Sequence, residues 1–259
     1  KNINQFPVVD NNYKVIGIRV LNDLIKSKNK LNKVVIMAGG MGVRLRPLTK
    51  NIPKPMLKVG KKPILQIIVE KFRDNGYENF IMCVNYKSKI IKQYFGDGHK
   101  FGVKIEYIQE RIKMGTAGSL SLFKEKPKEP FFVINGDLLT NLDFDKMLNF
   151  HTENNSKATM CLSEYNIESP YGEVKLDREN ITLINEKPIH KFFVNAGIYI
   201  LDPICLKLVP KKFYNMPSLF NKIIAHKYKT ISFPLGEYWL DIGTFNDYKK
   251  AKLEYDTKF

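Results

Sequence analysis

The chain has 259 residues, of which 44% are hydrophobic and 26% are charged; these ordinary globular values exclude a wholly disordered chain. Its 42 lysines and arginines exceed its 26 aspartates and glutamates, so the net charge is +16 and anionic partners are favoured. No apolar run approaches the roughly 20 residues that cross a bilayer, which excludes a membrane-embedded protein. The basic residues are dispersed and form no aromatic–basic stripe, so nucleic-acid binding is not expected.

The cysteine and histidine patterns exclude two further classes of protein. Cys83, Cys161 and Cys205 are widely separated, and the histidines form no metal-binding pattern. Neither a disulfide framework nor a structural zinc site is therefore expected. The first residues lack the charged, apolar and cleavage regions of a secretory signal. We expect a cytoplasmic protein with reduced thiols.

The N-terminal segment predicts a small unit that buries too little apolar surface to fold alone. Residues 6–9 and 15–18 read as two short strands around an Asp-Asn-Asn turn, and a short helix is expected over residues 20–24. The Phe-Pro-Val-Val-Asp and Val-Ile-Gly-Ile pattern, with Asp23 in the helix, resembles the C-terminal half of a CBS motif. This resemblance implies that residues 1–26 belong to a regulatory CBS pair whose remainder is missing. The alternative is an N-terminal extension that packs on the main domain.

Residues 27–33 are polar and predict a linker to a main domain over residues 34–259. The domain begins with a continuous apolar run at residues 34–38, as expected for a strand that is buried on both faces. Further buried strands are expected at residues 80–84, 103–108 and 131–134, and helices at residues 64–75, 88–95 and 116–123. This alternation predicts an α/β fold with a mixed, mostly parallel, Rossmann-like sheet flanked by helices.

The order of elements is less regular in the second half of the main domain. Strands are expected at residues 158–162, 172–176, 181–185 and 193–201, without regular helices between them. They predict an extension of the sheet and a small antiparallel section. Helices are expected at residues 216–226 and 245–255.

A glycine-rich loop follows the first buried strand directly. Ligands of open parallel sheets bind beyond the carboxyl ends of the strands, so this loop is the expected ligand site. Gly39, Gly40 and Gly42 allow the backbone to approach phosphates, and Arg44 can contact a phosphate through two parallel donors. The loop matches neither the Gly-x-Gly-x-x-Gly nor the Walker pattern. Taken alone, it could equally be a tight strand-to-helix turn.

The wider sequence around this loop is more specific. Residues 38–49 read Ala-Gly-Gly-Met-Gly-Val-Arg-Leu-Arg-Pro-Leu-Thr, and Pro-Lys-Pro-Met follows at 53–56, where two prolines hold Lys54 in an extended segment. Both segments resemble the signature of the sugar-1-phosphate nucleotidyltransferases, A-G-G-x-G-x-R-L-x-P-x-T followed by P-K-P-M. Later motifs come in the family's order, including Gly-Thr-Ala-Gly-Ser, Asn-Gly-Asp, Asn-Glu-Lys-Pro and Trp-Leu-Asp. The resemblance covers residue 33 to the C-terminus.

The resemblance implies a reaction in which a sugar 1-phosphate attacks the α-phosphorus of a nucleoside triphosphate and releases pyrophosphate. Because the attacking phosphate oxygen is already ionised at pH 7, no general base is needed, and the enzyme must neutralise two converging polyanions. Arg44, Lys54 and Asp137 are the catalytic residues that the motifs imply. Arg44 would hold the triphosphate, and Lys54 would bridge the two substrates' phosphates. Asp137 and Asp241 would bind Mg²⁺, the implied cofactor.

The same motifs imply two binding sets. The nucleotide would be bound by Ala38, Gly39, Gly40, Gly42, Arg44, Gln109, Gly115 and Thr116. The sugar phosphate would be bound by Gly172, Glu186, Lys187 and Asn195. Within the second set, Glu186 suits sugar hydroxyls and Lys187 suits the phosphate.

Similarity to particular branches of the family narrows the choice of nucleotide and sugar substrates. Pro-Lys-Pro-Met resembles the guanylyltransferase branch, and fusion to CBS modules is similar to bacterial enzymes that load glucosamine 1-phosphate or related sugars with GTP for surface-glycan biosynthesis. We therefore expect GTP and a sugar 1-phosphate, with glucosamine 1-phosphate as the candidate sugar. Uridylyl or thymidylyl transfer to a hexose 1-phosphate is an alternative, as is a non-catalytic regulatory homologue. Neither nucleic acid nor a membrane is an expected partner, and a homo-oligomer is left open.

Overall fold

A computed structural model describes residues 5–10, 13–20 and 30–259. The N-terminal strands β1 (Gln5–Val9) and β2 (Val15–Val20) pair antiparallel, which confirms the two predicted strands. The expected helix at residues 20–24 falls mostly outside the described residues, and Val20 itself ends β2. Assignment of this hairpin to a CBS-like segment stays a prediction.

The main domain is a mixed α/β fold, as the sequence predicts. Its strands are β3 (Val34–Ala38), β4 (Lys58–Val59), β5 (Lys62–Pro63), β6 (Asn79–Val84), β7 (Lys104–Gln109), β8 (Phe131–Asn135), β9 (Leu138–Thr140), β10 (Ala158–Glu168), β11 (Glu173–Asp177), β12 (Asn180–Asn185), β13 (Ile189–Leu201), β14 (Thr230–Leu235) and β15 (Trp239–Asp241). Its helices are α1 (Ile64–Asp74), α2 (Ser88–Phe95), α3 (Phe144–Glu153), α4 (Met216–Ala225) and α5 (Phe245–Lys258).

Seven strands form the central sheet in the order β14-β10-β13-β8-β3-β6-β7. Strand β13 runs antiparallel to its neighbours β10 and β8, and the remaining pairs are parallel. The carboxyl ends of β3, β6 and β8 therefore meet at one edge of the sheet. This is the edge where a ligand of an open α/β sheet is expected.

Alternate residues of β3 contribute to two separate hydrophobic clusters, one on each face of the sheet. Val34, Ile36 and Ala38 pack in the cluster that includes α1, α2 and α3, whereas Val35 packs in the cluster that includes α4. This burial on both faces explains why the strand reads as a continuous apolar run instead of an alternating one. Phe72 lies at the centre of the larger cluster and stacks on Phe144, with ring centroids 3.6 Å apart.

The predicted helix at residues 116–123 is shorter and of a different type. The structure has a 3-10 helix over Gly118–Leu122 instead. Residues 114–118 are held by the loop before α4, since the amide groups of Ala117 and Gly118 both donate to the carbonyl of Tyr214 at 3.0 Å. These bonds to another segment take the place of a first α-helical turn.

Residues 164–193 form an extension that we name the arm, and we name the seven-stranded sheet with its helices the body. The arm comprises the outer halves of β10 and β13, which pair with each other, and the hairpin of β11 and β12. Most of its side chains are exposed, including those of Leu176 (62%) and Phe193 (68%). The small antiparallel section predicted from the sequence is thus present.

Several residues at the end of the predicted linker contact the body, and Lys33 among them pairs with Glu106 at 3.2 Å. Lys30 donates from its ammonium group to the carbonyl of Asn75 at 2.8 Å and pairs with the carboxylate of Asp145. Asn32 donates to the carbonyl of Pro130 at 2.7 Å. The end of this segment is therefore fixed to the body. Within the described residues, no helix is long and apolar enough to cross a membrane.

Candidate active site

Two aspartates that lie far apart in the sequence are brought together by a short strand pair. Strands β9 and β15 pair antiparallel, and Asp241 is opposite Leu138, the residue that follows Asp137. The backbone amide of Ile242 also donates to the carbonyl of Asp137 at 3.1 Å. The two aspartates predicted as metal ligands therefore lie side by side at the carboxyl end of β8.

Lys54 lies between these two carboxylates. Its ammonium group pairs with the Asp137 carboxylate and lies 3.9 Å from Oδ1 of Asp241. The lysine is only 7% exposed. The prediction of an extended segment holds for Pro53 but is wrong for Lys54, which begins the 3-10 helix Lys54–Met56. A cation held at this point can neutralise negative charge that converges on the aspartates.

The pKa of the Asp241 carboxyl reports the balance of charges around the two aspartates. Its partial burial raises its pKa above the ordinary value, and the neighbouring charge of Asp137 raises it further. The cations of Lys54 and Arg44 act in the opposite direction. A further cation at this point would therefore be favoured by the carboxylates.

The glycine-rich loop passes next to Lys54 in a conformation that suits glycine. Gly42 has a φ of +60°, and a β-carbon at this position would lie 3.0 Å from side-chain atoms of both Lys54 and Thr49. The Thr49 hydroxyl donates to the Gly42 carbonyl at 2.7 Å and closes the loop. The guanidinium of Arg44 lies near Gly243, where a β-carbon would be 3.4 Å from it.

A cleft of about 680 Å³ opens beside this group of charges. One part of its wall combines Lys54 and Asp137 with the glycine-rich loop, so its chemistry suits phosphates. Other wall residues come from the end of β6, the loop after β7 and the loop before α4. These are Asn85, Glu110, Arg111, Ile112, Lys113, Gly115, Thr116, Phe213 and Asn215.

Glu110 is a buried carboxylate in this wall, with 6% of its surface exposed. A β-carbon on Gly39 would lie 3.1 Å from both of its carboxylate oxygens, which shows how closely the glycine-rich loop approaches it. The Ser119 hydroxyl donates an unusually close hydrogen bond to Oε1. The Met114 amide and the Asn85 side chain are farther from Oε2, at 3.4 and 3.5 Å. The carboxylate therefore retains acceptor capacity toward the cleft.

Two residues assigned to the nucleotide from the sequence have other contacts. Gln109 is exposed, does not line the cleft and accepts a hydrogen bond from Lys92 at 3.0 Å. The neighbouring Glu110 lines the cleft instead, because successive side chains at a strand end point to opposite sides. Thr116 does line the cleft, but its hydroxyl accepts from the Met216 amide at 2.8 Å and thus caps the start of α4.

The residues assigned to the sugar phosphate lie on or next to the arm. Gly172 and Glu186 approach each other, since a β-carbon on Gly172 would lie 2.8 Å from Glu186 Oε2. Lys187 has a φ of +46°, which is uncommon for a residue with a side chain and often marks a functional position. Asn195 lies farther along β13, where its side chain accepts from the Gly197 amide at 2.9 Å. None of these four residues lines the cleft.

Comparison of the sequence with known proteins identifies a family and several relatives. Residues 33–258 match the family described as Nucleotidyl transferase, and the chain belongs to this family. It is 34% identical over 234 residues to the mannose-1-phosphate guanyltransferase of Yarrowia lipolytica, which corresponds to 86% of this chain and 64% of that protein. The chain thus spans just under two thirds of the length of this curated relative.

Solved structures show the same fold. The crystal structure of HddC from Yersinia pseudotuberculosis complexed with GMP-PN is 26% identical, with a TM-score of 0.66, and the match covers 86% of this chain and 99% of that one. The structure of a UDP-glucose pyrophosphorylase complexed with UDP-glucose matches with a TM-score of 0.65 over 89% of this chain and 100% of that one. At 20% identity, this second likeness concerns the fold alone.

Proposed function

We propose that this chain transfers GMP from GTP to mannose 1-phosphate, forming GDP-mannose and releasing pyrophosphate. The observation that carries the choice of nucleotide is Glu110, a buried carboxylate in the wall of the cleft. An ionised carboxylate accepts hydrogen bonds and donates none. Guanine presents two adjacent donors, N1–H and the N2 amino group, and so matches such an acceptor.

The other bases match Glu110 less well. Uracil and thymine present one N–H group between two carbonyl oxygens, which a carboxylate would repel. Adenine presents its amino group beside the acceptor N1. A mismatched edge would leave a buried polar group unpaired, and such losses discriminate strongly between ligands.

The choice of sugar is supported by the relatives. The Yarrowia lipolytica protein is described as acting on mannose 1-phosphate, and the Saccharomyces cerevisiae relative, 32% identical over 234 residues, has the same description. Glucosamine 1-phosphate, expected from the sequence, has no support among these relatives and becomes a competing substrate to be assayed. A role in surface-glycan biosynthesis stays a prediction.

The charges at the cleft suit an in-line displacement. The phosphate of the sugar attacks the α-phosphorus of GTP, the bond to the β-phosphate oxygen breaks, and pyrophosphate leaves. Lys54 would stabilise the charge at the centre where both phosphates converge, while Arg44 would attract the triphosphate. The glycine-rich loop, with its backbone able to approach closely, would hold the β- and γ-phosphates.

The carboxylates of Asp137 and Asp241 fit Mg²⁺. They are two oxygen donors beside each other, and Mg²⁺ in nucleotide enzymes is commonly held by one or two carboxylates together with substrate phosphates. Among the described residues, no three His, Cys, Asp or Glu side chains cluster, so the substrate would complete the coordination. When bound, the ion would neutralise phosphate charge and orient the triphosphate. Lys54 already pairs with both carboxylates and would remain beside them to contact phosphate.

The sugar phosphate would bind against the arm. Lys187 would pair with its phosphate, and Glu186, which approaches the backbone of Gly172, would accept hydrogen bonds from sugar hydroxyls. Asn195 would complete this set from β13.

The test is pyrophosphate release by the wild-type protein, with Mg²⁺, for GTP, ATP, UTP and dTTP against mannose, glucosamine and glucose 1-phosphates. We expect GTP with mannose 1-phosphate to have the highest kcat/KM. In Glu110→Gln, kcat/KM for GTP should fall at least about tenfold and the relative rate with UTP should rise, because a glutamine offers both a donor and an acceptor.

The matched control is Gln109→Ala, which changes the neighbouring residue outside the cleft and should leave base preference unchanged. A wild-type preference for UTP or dTTP would contradict guanylyl transfer. Absence of pyrophosphate release with every pair would favour the non-catalytic alternative.

A further inference from the structure

We propose that Phe213 covers one face of the nucleobase and so contributes to nucleotide binding from a segment outside every motif of the sequence. The inference rests on the proposed function, because it takes the cleft to be the nucleotide site. Phe213 lies in the loop before α4 and lines the cleft together with Glu110, Gly115 and Asn215. It would act in the same reaction as a base-contacting residue.

Packing does not account for this phenylalanine. Phe213 is 49% exposed and is part of neither hydrophobic cluster of the described residues. The next residue, Tyr214, by contrast packs against the cluster that contains α4. The loop therefore directs one aromatic side chain into the body and the adjacent one to the cleft, where about half of its surface is available to a ligand.

The loop that carries Phe213 is held firmly in place. Its neighbour Tyr214 accepts from the amides of Ala117 and Gly118 at 3.0 Å and donates its own amide to the Met114 carbonyl at 2.9 Å. The Thr116 hydroxyl accepts from the Met216 amide at 2.8 Å. These bonds join the loop before α4 to the segment that follows Glu110. The ring of Phe213 is thus positioned relative to the proposed base acceptor before any ligand binds.

The residues around the Phe213 ring suit the nucleobase better than the phosphates. The Lys113 ammonium lies 5.6 Å from the ring centroid, and Ile112, which is 62% exposed, lines the same cleft. The charged side chains of Lys54 and Asp137 come from other segments of the wall. A nucleobase is the flat, largely apolar portion of the ligand, and bases stack on aromatic rings in a manner that does not depend on their hydrogen-bonding edge.

Glu110 and Phe213 would therefore have separable effects. Glu110 would accept hydrogen bonds from the edge of the base and so distinguish guanine from other bases. Phe213 contacts the face and increases affinity for every base that enters. A merely structural role for Phe213 would instead alter the whole cleft, including binding of the phosphates.

The test compares Phe213→Ala, Phe213→Trp and the control Phe259→Ala, which removes a half-exposed phenylalanine that does not line the cleft. For Phe213→Ala we expect KM for GTP to rise about tenfold, with kcat and KM for mannose 1-phosphate within about twofold of wild type. KM for ITP, which lacks the N2 amino group, should rise by the same factor. Tripolyphosphate, as a competitive inhibitor without a base, should bind unchanged. Phe213→Trp should retain wild-type affinity for GTP.

Two results would overturn the proposal: an unchanged KM for GTP in Phe213→Ala, or equal weakening of GTP and tripolyphosphate. Failure of the proposed function has a different signature. If the wild type prefers UTP, the same comparison is made with UTP, since stacking does not require guanine. A tenfold rise in its KM with unchanged tripolyphosphate binding would then support Phe213 while guanylyl transfer fails.

Discussion

The body and the arm carry the two proposed halves of the site on very different supports. In the body, the residues around the cleft follow strands whose side chains are buried on both faces, such as β3 and β8. In the arm, β12 is exposed along its whole length, and Glu186 and Lys187 follow it directly. In the proposed function, the triphosphate would therefore bind to a well-packed support, whereas the sugar would bind to a thin, solvent-exposed one.

The well-packed support of the cleft suits the chemistry of nucleotidyl transfer. Transfer requires the α-phosphorus to be held in line with the attacking oxygen, and small errors of position at that point are costly. A lysine that is buried between two carboxylates meets this demand.

The first prediction concerns stability and has the largest expected effect. Phe72→Ala removes a fully buried ring from the body and should lower the free energy of unfolding by about 3–5 kcal/mol. The matched arm variant Leu176→Ala removes a side chain that is 62% exposed and should change it by less than about 0.5 kcal/mol. Urea denaturation followed by circular dichroism measures both. Similar losses in the two variants would show that the arm is packed as tightly as the body.

The second prediction concerns Lys54. In Lys54→Ala, kcat should fall on the order of 10²-fold with little change in either KM, because charge neutralisation is needed most where the phosphates converge in the transition state. The control is Lys61→Ala, which removes an exposed lysine in the same part of the chain. Steady-state kinetics with each substrate varied in turn provide the measurement. A higher KM for one substrate with an unchanged kcat would remove Lys54 from the chemical step.

The third prediction concerns the carboxylate beside Lys54. Asp137→Asn keeps the shape of the side chain and removes its charge, so kcat should fall by more than about tenfold, roughly 1.4 kcal/mol, while the fold stays intact. The same change on the arm, Asp177→Asn, should leave kcat unchanged. Turnover is measured at saturating Mg²⁺, and circular dichroism checks the fold. Retention of more than a tenth of wild-type kcat in Asp137→Asn would argue against a direct role.

The fourth and smallest expected effect concerns the N-terminal segment. Removal of residues 1–29 should leave kcat/KM within about threefold, less than ~1 kcal/mol, because the cleft is formed by the body. Removal of residues 1–32 also deletes the contacts of Lys30 and Asn32 with the body and should lower the melting temperature further. Melting curves and initial rates compare the two truncations. A large loss of activity on removing residues 1–29 would show that this segment supports the site.

The sequence predicts the fold well, and it also identifies the glycine-rich loop, Lys54 and Asp137 that line the cleft, because these signals are local and contiguous. The apolar run of β3, the glycine-rich loop and Pro-Lys-Pro-Met each lie within a few residues of one another. Asp137 and Asp241, both predicted as Mg²⁺ ligands, lie beside each other in the structure. The β9–β15 pairing that joins them has no strong pattern of its own, since each strand has only three residues.

The cleft wall around Glu110 was predicted less completely, for reasons that a linear pattern does not reveal. Gln109 was predicted to bind the nucleotide, but Glu110 is the residue that lines the cleft, because a shift of one residue at a strand end exchanges the inward side chain for the outward one. Thr116 lines the cleft, and its hydroxyl caps α4, a helix that begins 100 residues later in the chain. Phe213 lies in no motif. Its position follows from hydrogen bonds between two loops that only the folded chain brings together.

The central claim is that the body selects the nucleotide and the arm selects the sugar phosphate. Its most direct test is steady-state kinetics of wild type, Glu110→Gln and Lys187→Ala, with GTP and mannose 1-phosphate varied separately. The account predicts that Glu110→Gln lowers kcat/KM for GTP at least about tenfold and leaves KM for mannose 1-phosphate within about twofold, whereas Lys187→Ala raises KM for mannose 1-phosphate by about tenfold and leaves KM for GTP unchanged. If both variants weaken the same substrate, or if Lys187→Ala impairs only GTP, the division between body and arm is contradicted.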